Sequence, residues 1–269
     1  MRKLTTGLLE TTTTRLYHEV READGPLVLM IPGATGDAGH FDEVAGPLAD
    51  THTVVTYDRR GNSRSPRTGG ATTMDEQADD AAALVRALGR GRAIVFGTSG
   101  GAIIALATLL RHPDLVAAAI LHEPPLAAVV PEAEAELAHM KDAITEVMQS
   151  RGPVAALEAF VRAQAGAAYD AIADGTRARM LGNAETLFRS ELDAFVTWRP
   201  DEAALARVNV PVRLLIGTET TPLFRATTQW LAQRLGVTVG ELPGGHTPYF
   251  DRPQVMADAL RPLLREVSR

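Results

Sequence analysis

Residues 93–110, AIVFGTSGGAIIALATLL, constrain this chain more than any other stretch. Ala93-Ile94-Val95-Phe96 is a short run of strand formers, residues 97–101 read Gly-Thr-Ser-Gly-Gly, and residues 102–110 are an apolar run of helix formers. Strand, glycine turn and helix in direct succession, with Ser99 at the apex, is the context in which a G-x-S-x-G motif carries meaning. A serine on so sharp a turn sits in strained backbone, and side chains two residues away on either side are expected to collide with it. Gly97 and Gly101 are read as removing that collision. The turn pushes the Ser99 hydroxyl out of the sheet edge and aims the first amides of the helix at the same spot. Taken alone, the motif also fits a glycine-rich turn in a nucleotide-binding or purely structural α/β protein, so the rest of the chain must decide.

The same rhythm surrounds it. Strands are expected at Arg15–Glu22, Leu27–Ile31, Thr53–Tyr57, Val116–Leu121, Val212–Ile216 and Thr238–Leu242. Helices are expected at His40–Ala49, Thr73–Leu88 (with Thr72 or Thr73 as N-cap and Gly89 as stop), Arg225–Leu235 and Pro253–Val267. Between Leu126 and Arg207 strand signals vanish and Ala, Glu and Arg recur at helical spacing, at Glu132–Gln149, Val154–Ala168, Thr176–Leu181 and Ala184–Phe195. This reads as a core of residues 1–125 and 206–269 carrying a helical insertion, 126–205. Continuous apolar strands alternating with helices imply a mostly parallel sheet covered on both faces. Ligands of such sheets bind beyond the carboxyl ends of the strands, and Ser99, Glu123, Glu219 and His246 all follow strands.

Composition narrows the classes. With 269 residues, 45% hydrophobic, the chain can build a large core. A formal charge of −6 argues against a dedicated nucleic-acid or anionic-membrane binder. There are no cysteines, which excludes a thiol nucleophile, thiolate metal sites and disulfides. No run approaches the length of a membrane span, and MRKLTTGLLETTTT does not read as a signal peptide. A soluble, cytoplasmic protein is the expectation. With no H-E-x-x-H and no close histidine pair, no metal is expected and no cofactor is implied. The oligomeric state, a homo-oligomer included, stays open.

A serine nucleophile needs a base. Of the seven histidines, His246 follows a strand and a Gly-Gly turn at the active edge, whereas His112 ends a helix. His122 is the rival, but it alternates with Glu123, so one of the two faces the site. The acid is less obvious. Many folds of this type carry an aspartate after the strand Val212–Ile216, where this chain has Glu219. Glu123 is preferred: it ends a buried strand, Pro124-Pro125 fix the exit, and a carboxylate there calls for a partner. Glu219 is the alternative. The oxyanion donors are expected to be the backbone amides of Gly100 and Ala34. Asp58-Arg59-Arg60 reads as a structural turn with ion pairs. Leu126, Leu187, Phe188, Phe195 and Trp198 are candidates for an apolar substrate pocket.

In their order along the chain, Pro32-Gly33-Ala34, residues 57–63 (YDRRGNS), residues 97–101 (GTSGG) and Pro243-Gly244-Gly245-His246 resemble the α/β-hydrolase superfamily, over the core but not the insertion. That resemblance implies an α/β-hydrolase fold, a mostly parallel sheet flanked by helices, with residues 126–205 as its helical cap. Leu121-His122-Glu123-Pro124-Pro125 resembles the branch in which a glutamate after this strand replaces the late aspartate. The fungal zearalenone lactonases have such a glutamate 24 residues past the serine, the spacing of Ser99 and Glu123 here, and an end similar to residues 242–249, LPGGHTPY. Their substrate-contacting cap tryptophan aligns with Leu187, and Trp198 lies several residues away. The resemblance therefore implies a Ser99–His246–Glu123 triad cleaving an ester or lactone with an apolar acyl or alcohol group, and does not carry macrolactone specificity. A dinucleotide oxidoreductase is disfavoured because Gly33, Gly36 and Gly39 miss the G-x-G-x-x-G spacing. A serine-bearing lyase, a C–C hydrolase, a cofactor-free peroxidase and a non-catalytic binding protein of the same fold stay open.

Overall fold

The computed structural model of the chain describes residues 3–131 and 134–268; the expected helix start at Glu132 lies outside them. Leu4–Glu10 (β1) and Arg15–Arg21 (β2) form an antiparallel hairpin. Leu27–Ile31 (β3), Thr53–Tyr57 (β4), Ala93–Thr98 (β5), Val116–His122 (β6), Val212–Gly217 (β7) and Val239–Leu242 (β8) complete one eight-stranded sheet, ordered β1-β2-β4-β3-β5-β6-β7-β8. β2 pairs antiparallel with β4, and every later pair is parallel.

Parallel pairing requires crossovers, and here helices supply them on both faces. The core helices are Asp42–Leu48 (α1), Met74–Ala87 (α2) and Gly100–Arg111 (α3). The segment between β6 and β7 holds Glu134–Arg151 (α4), Pro153–Ala165 (α5), Asp174–Gly182 (α6), Ala184–Thr186 (α7), Leu192–Thr197 (α8) and Glu202–Leu205 (α9), with no strand among its described residues. Pro222–Leu235 (α10), Pro248–Asp251 (α11) and Pro253–Val267 (α12) close the chain. Alternation along a strand sorts the core. Leu27, Leu29 and Ile31 pack with Ala81, Leu84 and Val85 of α2 and with α3, while Val28 and Met30 pack with Leu48 of α1 and Met256 and Leu260 of α12. Each of these side chains larger than alanine, fully buried, contributes roughly 1.5–3 kcal/mol.

The register fixes the site. Ile31 lies beside Gly97, so the loops after β3 and β5 leave the sheet side by side. The strand order turns there, with β4 to one side of β3 and β5 to the other, which opens a crevice at the carboxyl edge. No helix among the described residues is long and apolar enough to cross a membrane.

Three elements depart from expectation. β1 is not foreseen, because its residues alternate between exposed and half-buried and none is buried, which leaves no hydrophobic pattern to read. The stretch expected as one helix over His40–Ala49 is a 3-10 turn, Ala38–Phe41, feeding α1. The helix expected over Ala184–Phe195 is interrupted by a π-helical turn at Leu187–Glu191 between α7 and α8. Such turns insert a residue and re-aim side chains, and here Glu191 lies buried against Arg59 of the core.

Candidate active site

Ser99 joins β5 to α3 with φ 54° and ψ −129°, outside the regions open to most residues. Non-glycine residues with positive φ are, among the described residues, Ser63, Ser99 and Glu123. Two of the three are the residues for which the sequence reading expects chemistry, in keeping with strain held where geometry must be specific. Ser99 is anchored by its own N–H, which donates to the His122 carbonyl at 2.9 Å, and its carbonyl accepts the Ala102 N–H at 2.8 Å, opening α3. The flanking glycines are needed for a different reason from the expected one. A Cβ on Gly97 would lie 2.2 Å from the Gly101 carbonyl oxygen, and one on Gly101 would lie 2.1 Å from that of Ile31. Close backbone approach of β3, β5 and α3, rather than crowding against the serine side chain, excludes other residues.

Glu123 directly follows β6 with φ 49°, and its N–H donates to the Leu215 carbonyl at 3.0 Å. This turn directs its carboxylate along the carboxyl edge of the sheet. Oε1 accepts the Gly217 N–H at 2.8 Å, and Oε2 accepts Nδ1–H of His246 at 2.5 Å. A carboxylate can only accept, so the His246 proton sits on Nδ1 and Nε2 is left as the basic nitrogen. Phe224 of α10 stacks flat on the imidazole, ring centroids 3.9 Å apart. Burial pushes the Glu123 carboxyl up, but the hydrogen bond from His246, the electrostatic attraction of His122 and His246 and the Thr220 hydroxyl together outweigh it and hold the pKa down to about 2. His122 does not line the cavity that holds Ser99: its ring lies 6.2 Å from that of His246, its Nδ1 is 2.9 Å from Thr98 Oγ1, and burial lowers its pKa to about 4. Glu219 is exposed and pairs with Arg252 at 3.1 Å. Its backbone N–H, not its carboxylate, reaches the histidine loop, donating to the Gly244 carbonyl at 2.9 Å.

Ser99 and His246 line one small cavity, about 40 Å³, together with Gly33 and Ala34 of the loop after β3. The insertion closes it with Phe160, Val161 and Gln164 of α5 and Met180 of α6. Gly100, directly after Ser99, is buried, so close to Phe195 that a Cβ would meet the ring at 2.9 Å. Of the pocket candidates, Leu126, Leu187 and Phe195 are buried in the core cluster, and Phe188 and Trp198 pack half-buried against it. None of these five lines the cavity that holds Ser99. The cap residues that do line it escape sequence reading, because Phe160, Val161 and Gln164 share one face of a helix with no local signal of what that face meets. His40 also lines the cavity; its Nε2 is 2.7 Å from Thr35 Oγ1, its ring stacks on Tyr249, and burial lowers its pKa to about 4.

Comparison with known proteins bears on this geometry. The family model described as the alpha/beta hydrolase family matches residues 28–259. The chain belongs to the α/β-hydrolase family. It is 30% identical over 270 residues to an uncharacterized hydrolase, YraK, of Bacillus subtilis (strain 168), covering 98% of this chain and 97% of the relative. It is 28% identical over 247 residues to a zearalenone hydrolase of Bionectria ochroleuca, covering 90% of each. Among solved structures, a thermophilic esterase from Thermogutta terrifontis superposes with a TM-score of 0.81 at 23% identity, covering 98% of this chain and 100% of that one. The expected fold and the resemblance to zearalenone hydrolase both hold, and the chain is an α/β hydrolase.

Proposed function

We propose that this hydrolase cleaves carboxylic esters or lactones through an acyl-enzyme formed on Ser99. The observation that carries the reading is the buried pair of Glu123 Oε2 and His246 Nδ1 at 2.5 Å, with His246 lining the same cavity as the strained Ser99. In this reading Nε2 of His246 takes the Ser99 proton as Oγ attacks the carbonyl carbon. Glu123 stays ionised and stabilises the imidazolium that forms. The amides of Gly100 and Ala34 receive the oxyanion, each such donor typically contributing about 2.7–4 kcal/mol in the transition state. His246 then protonates the leaving alcohol, and water activated by the same nitrogen releases the acid.

Residues 126–205 act as the cap in this account. The wall made by Phe160, Val161 and Met180 favours an apolar group on the substrate. A cavity of about 40 Å³ is far below the roughly 300–1,000 Å³ of sites for drug-sized ligands. Small esters and lactones therefore fit with less movement of the cap than a macrolactone.

The test is to incubate the protein with simple esters and lactones and with zearalenone, the substrate that one relative's name gives, and to follow by mass the addition of one water. Turnover of the small compounds, lost in Ser99→Ala with the fold retained, is the predicted result. No turnover of any of them by the wild type, or turnover that survives Ser99→Ala, contradicts the reading.

A further inference from the structure

Arg59 is fully buried, 0% exposed, and its guanidinium joins the insertion to the loop after β3. On one side, Nη1 donates to Glu191 Oε1 at 2.5 Å and Nη2 to Oε2 at 3.0 Å, the bidentate fork that suits a carboxylate. On the other, the same Nη2 donates to the carbonyl oxygens of Gly33 at 3.1 Å and Ala34 at 3.2 Å. Glu191 is held in turn by Asn62 Nδ2 at 2.9 Å and Gln77 Nε2 at 3.0 Å, both on Oε1. The Arg59 N–H also donates to the Gly36 carbonyl at 2.8 Å, so backbone and side chain of one residue grip both ends of the Gly33–Gly36 turn. An ion pair that merely fastened the insertion to the core would have no need of those carbonyls.

The consequence lies in the peptide plane. The chain has no cis peptide bond among its described residues, so the Gly33 C=O and the Ala34 N–H point in opposite directions. With the carbonyl turned to Arg59, the amide is turned away from it. Gly33 and Ala34 line the cavity that holds Ser99 and Arg59 does not, and a Cβ on Gly33 would lie 3.2 Å from the Ser99 Cβ. We infer that Arg59, held by Glu191 of the insertion, is a positioning residue that fixes the Gly33–Ala34 peptide so that the Ala34 amide faces the oxyanion formed on Ser99. The inference deepens the serine-hydrolase reading and rests on it. It makes the anion-accepting half of the site depend on a carboxylate contributed by the insertion. Removing the guanidinium leaves the Gly33 carbonyl held by the Gly36 N–H at 3.0 Å alone, which loosens the peptide, and rotation replaces a donor with a carbonyl oxygen.

The test uses Arg59→Met combined with Glu191→Gln, which removes both charges together and leaves Oε1 to accept from Asn62 and Gln77. The probe substrate is p-nitrophenyl acetate, with Ser99→Ala as control. The second probe is a small trifluoromethyl ketone: Ser99 Oγ adds to its carbonyl carbon, the serine proton passes to His246, and the carbonyl oxygen becomes the bound oxyanion. The predicted result is a kcat lower by about 10- to 100-fold, KM within about threefold, and an equal loss of affinity for the ketone, in a variant that still melts cooperatively. Should that variant not fold, Arg59→Lys keeps a charge for Glu191 but lacks the fork, and a smaller kcat loss matched by ketone affinity is predicted. A folded variant with wild-type kcat and ketone affinity, or a kcat loss without a matching ketone loss, overturns the inference alone. A wild type without Ser99-dependent turnover overturns the serine-hydrolase reading, and this one with it.

Discussion

At the scale of single residues, the question is which carboxylate serves the histidine. Glu123 is buried, meets His246 at 2.5 Å and has its pKa held down to about 2 by His246, His122 and Thr220 together against its burial, while Glu219 lies on the surface with Arg252. The two substitutions should therefore separate cleanly. Glu123→Gln keeps the shape but offers an amide to a ring nitrogen that needs an acceptor, which favours the wrong tautomer; kcat should fall by about 10³–10⁴-fold. Glu219→Gln removes only an exposed ion pair, worth at most about 1 kcal/mol, and leaves the backbone bond to Gly244 in place. Its kcat should stay within about fivefold. Steady-state kinetics on an activated ester decide, and equal or reversed losses would show the acid to be misassigned.

At the scale of elements, what was legible follows from what each element packs against. β3, β4, β5 and β6 are apolar on both faces because helices cover both, so their limits stand almost as read. α2 announces itself chemically: Thr73 caps it, accepting the Glu76 N–H while the Glu76 carboxylate accepts the Thr73 N–H at 2.9 Å. The elbow, the glutamate after β6 and the histidine after β8 were all readable, because turns at the carboxyl edge of a parallel sheet carry local signatures. The reason given for Gly97 and Gly101 was not, since their close neighbours are backbone atoms distant in sequence. β1 has no fully buried residue, only half-buried ones such as Leu9, and its hydrophobic pattern is too weak to read. The π-helical turn was invisible because its cause is also distant: Glu191 turns inward to Arg59, 132 residues earlier in the chain. The cavity wall is a third case. Leu187 and Phe195 are apolar and buried, as lining residues would be, yet only tertiary packing sets α5 rather than the π-helical turn above Ser99.

At the scale of the whole molecule, the site and the fold respond to acid in different windows. Burial lowers His40 and His122 to about 4 from an ordinary 6.5. Between those values the unfolded chain binds protons that the folded chain refuses, so stability declines as pH falls from about 6.5 to about 4, each histidine costing up to roughly 3 kcal/mol. Glu123 behaves otherwise. Its folded pKa of about 2 lies below the ordinary 4.5, so its contribution is complete above about 4.5 and is lost only as pH falls through about 2. Urea unfolding followed from pH 7 to 4.5 should show a steep loss in the wild type and a much flatter one in His40→Gln/His122→Gln. Parallel slopes would mean that these two histidines are not buried neutral.

The central claim is that Ser99 is a nucleophile activated by His246 on Glu123, and covalent trapping tests it most directly. The protein would be treated with a small fluorophosphonate, its intact mass taken over time, and the modified peptide sequenced. The account predicts one adduct per chain, on Ser99, forming far more slowly in His246→Ala and not at all in Ser99→Ala. An unmodified wild type, an adduct on another residue, or labelling of Ser99 at the same rate without His246 would contradict it.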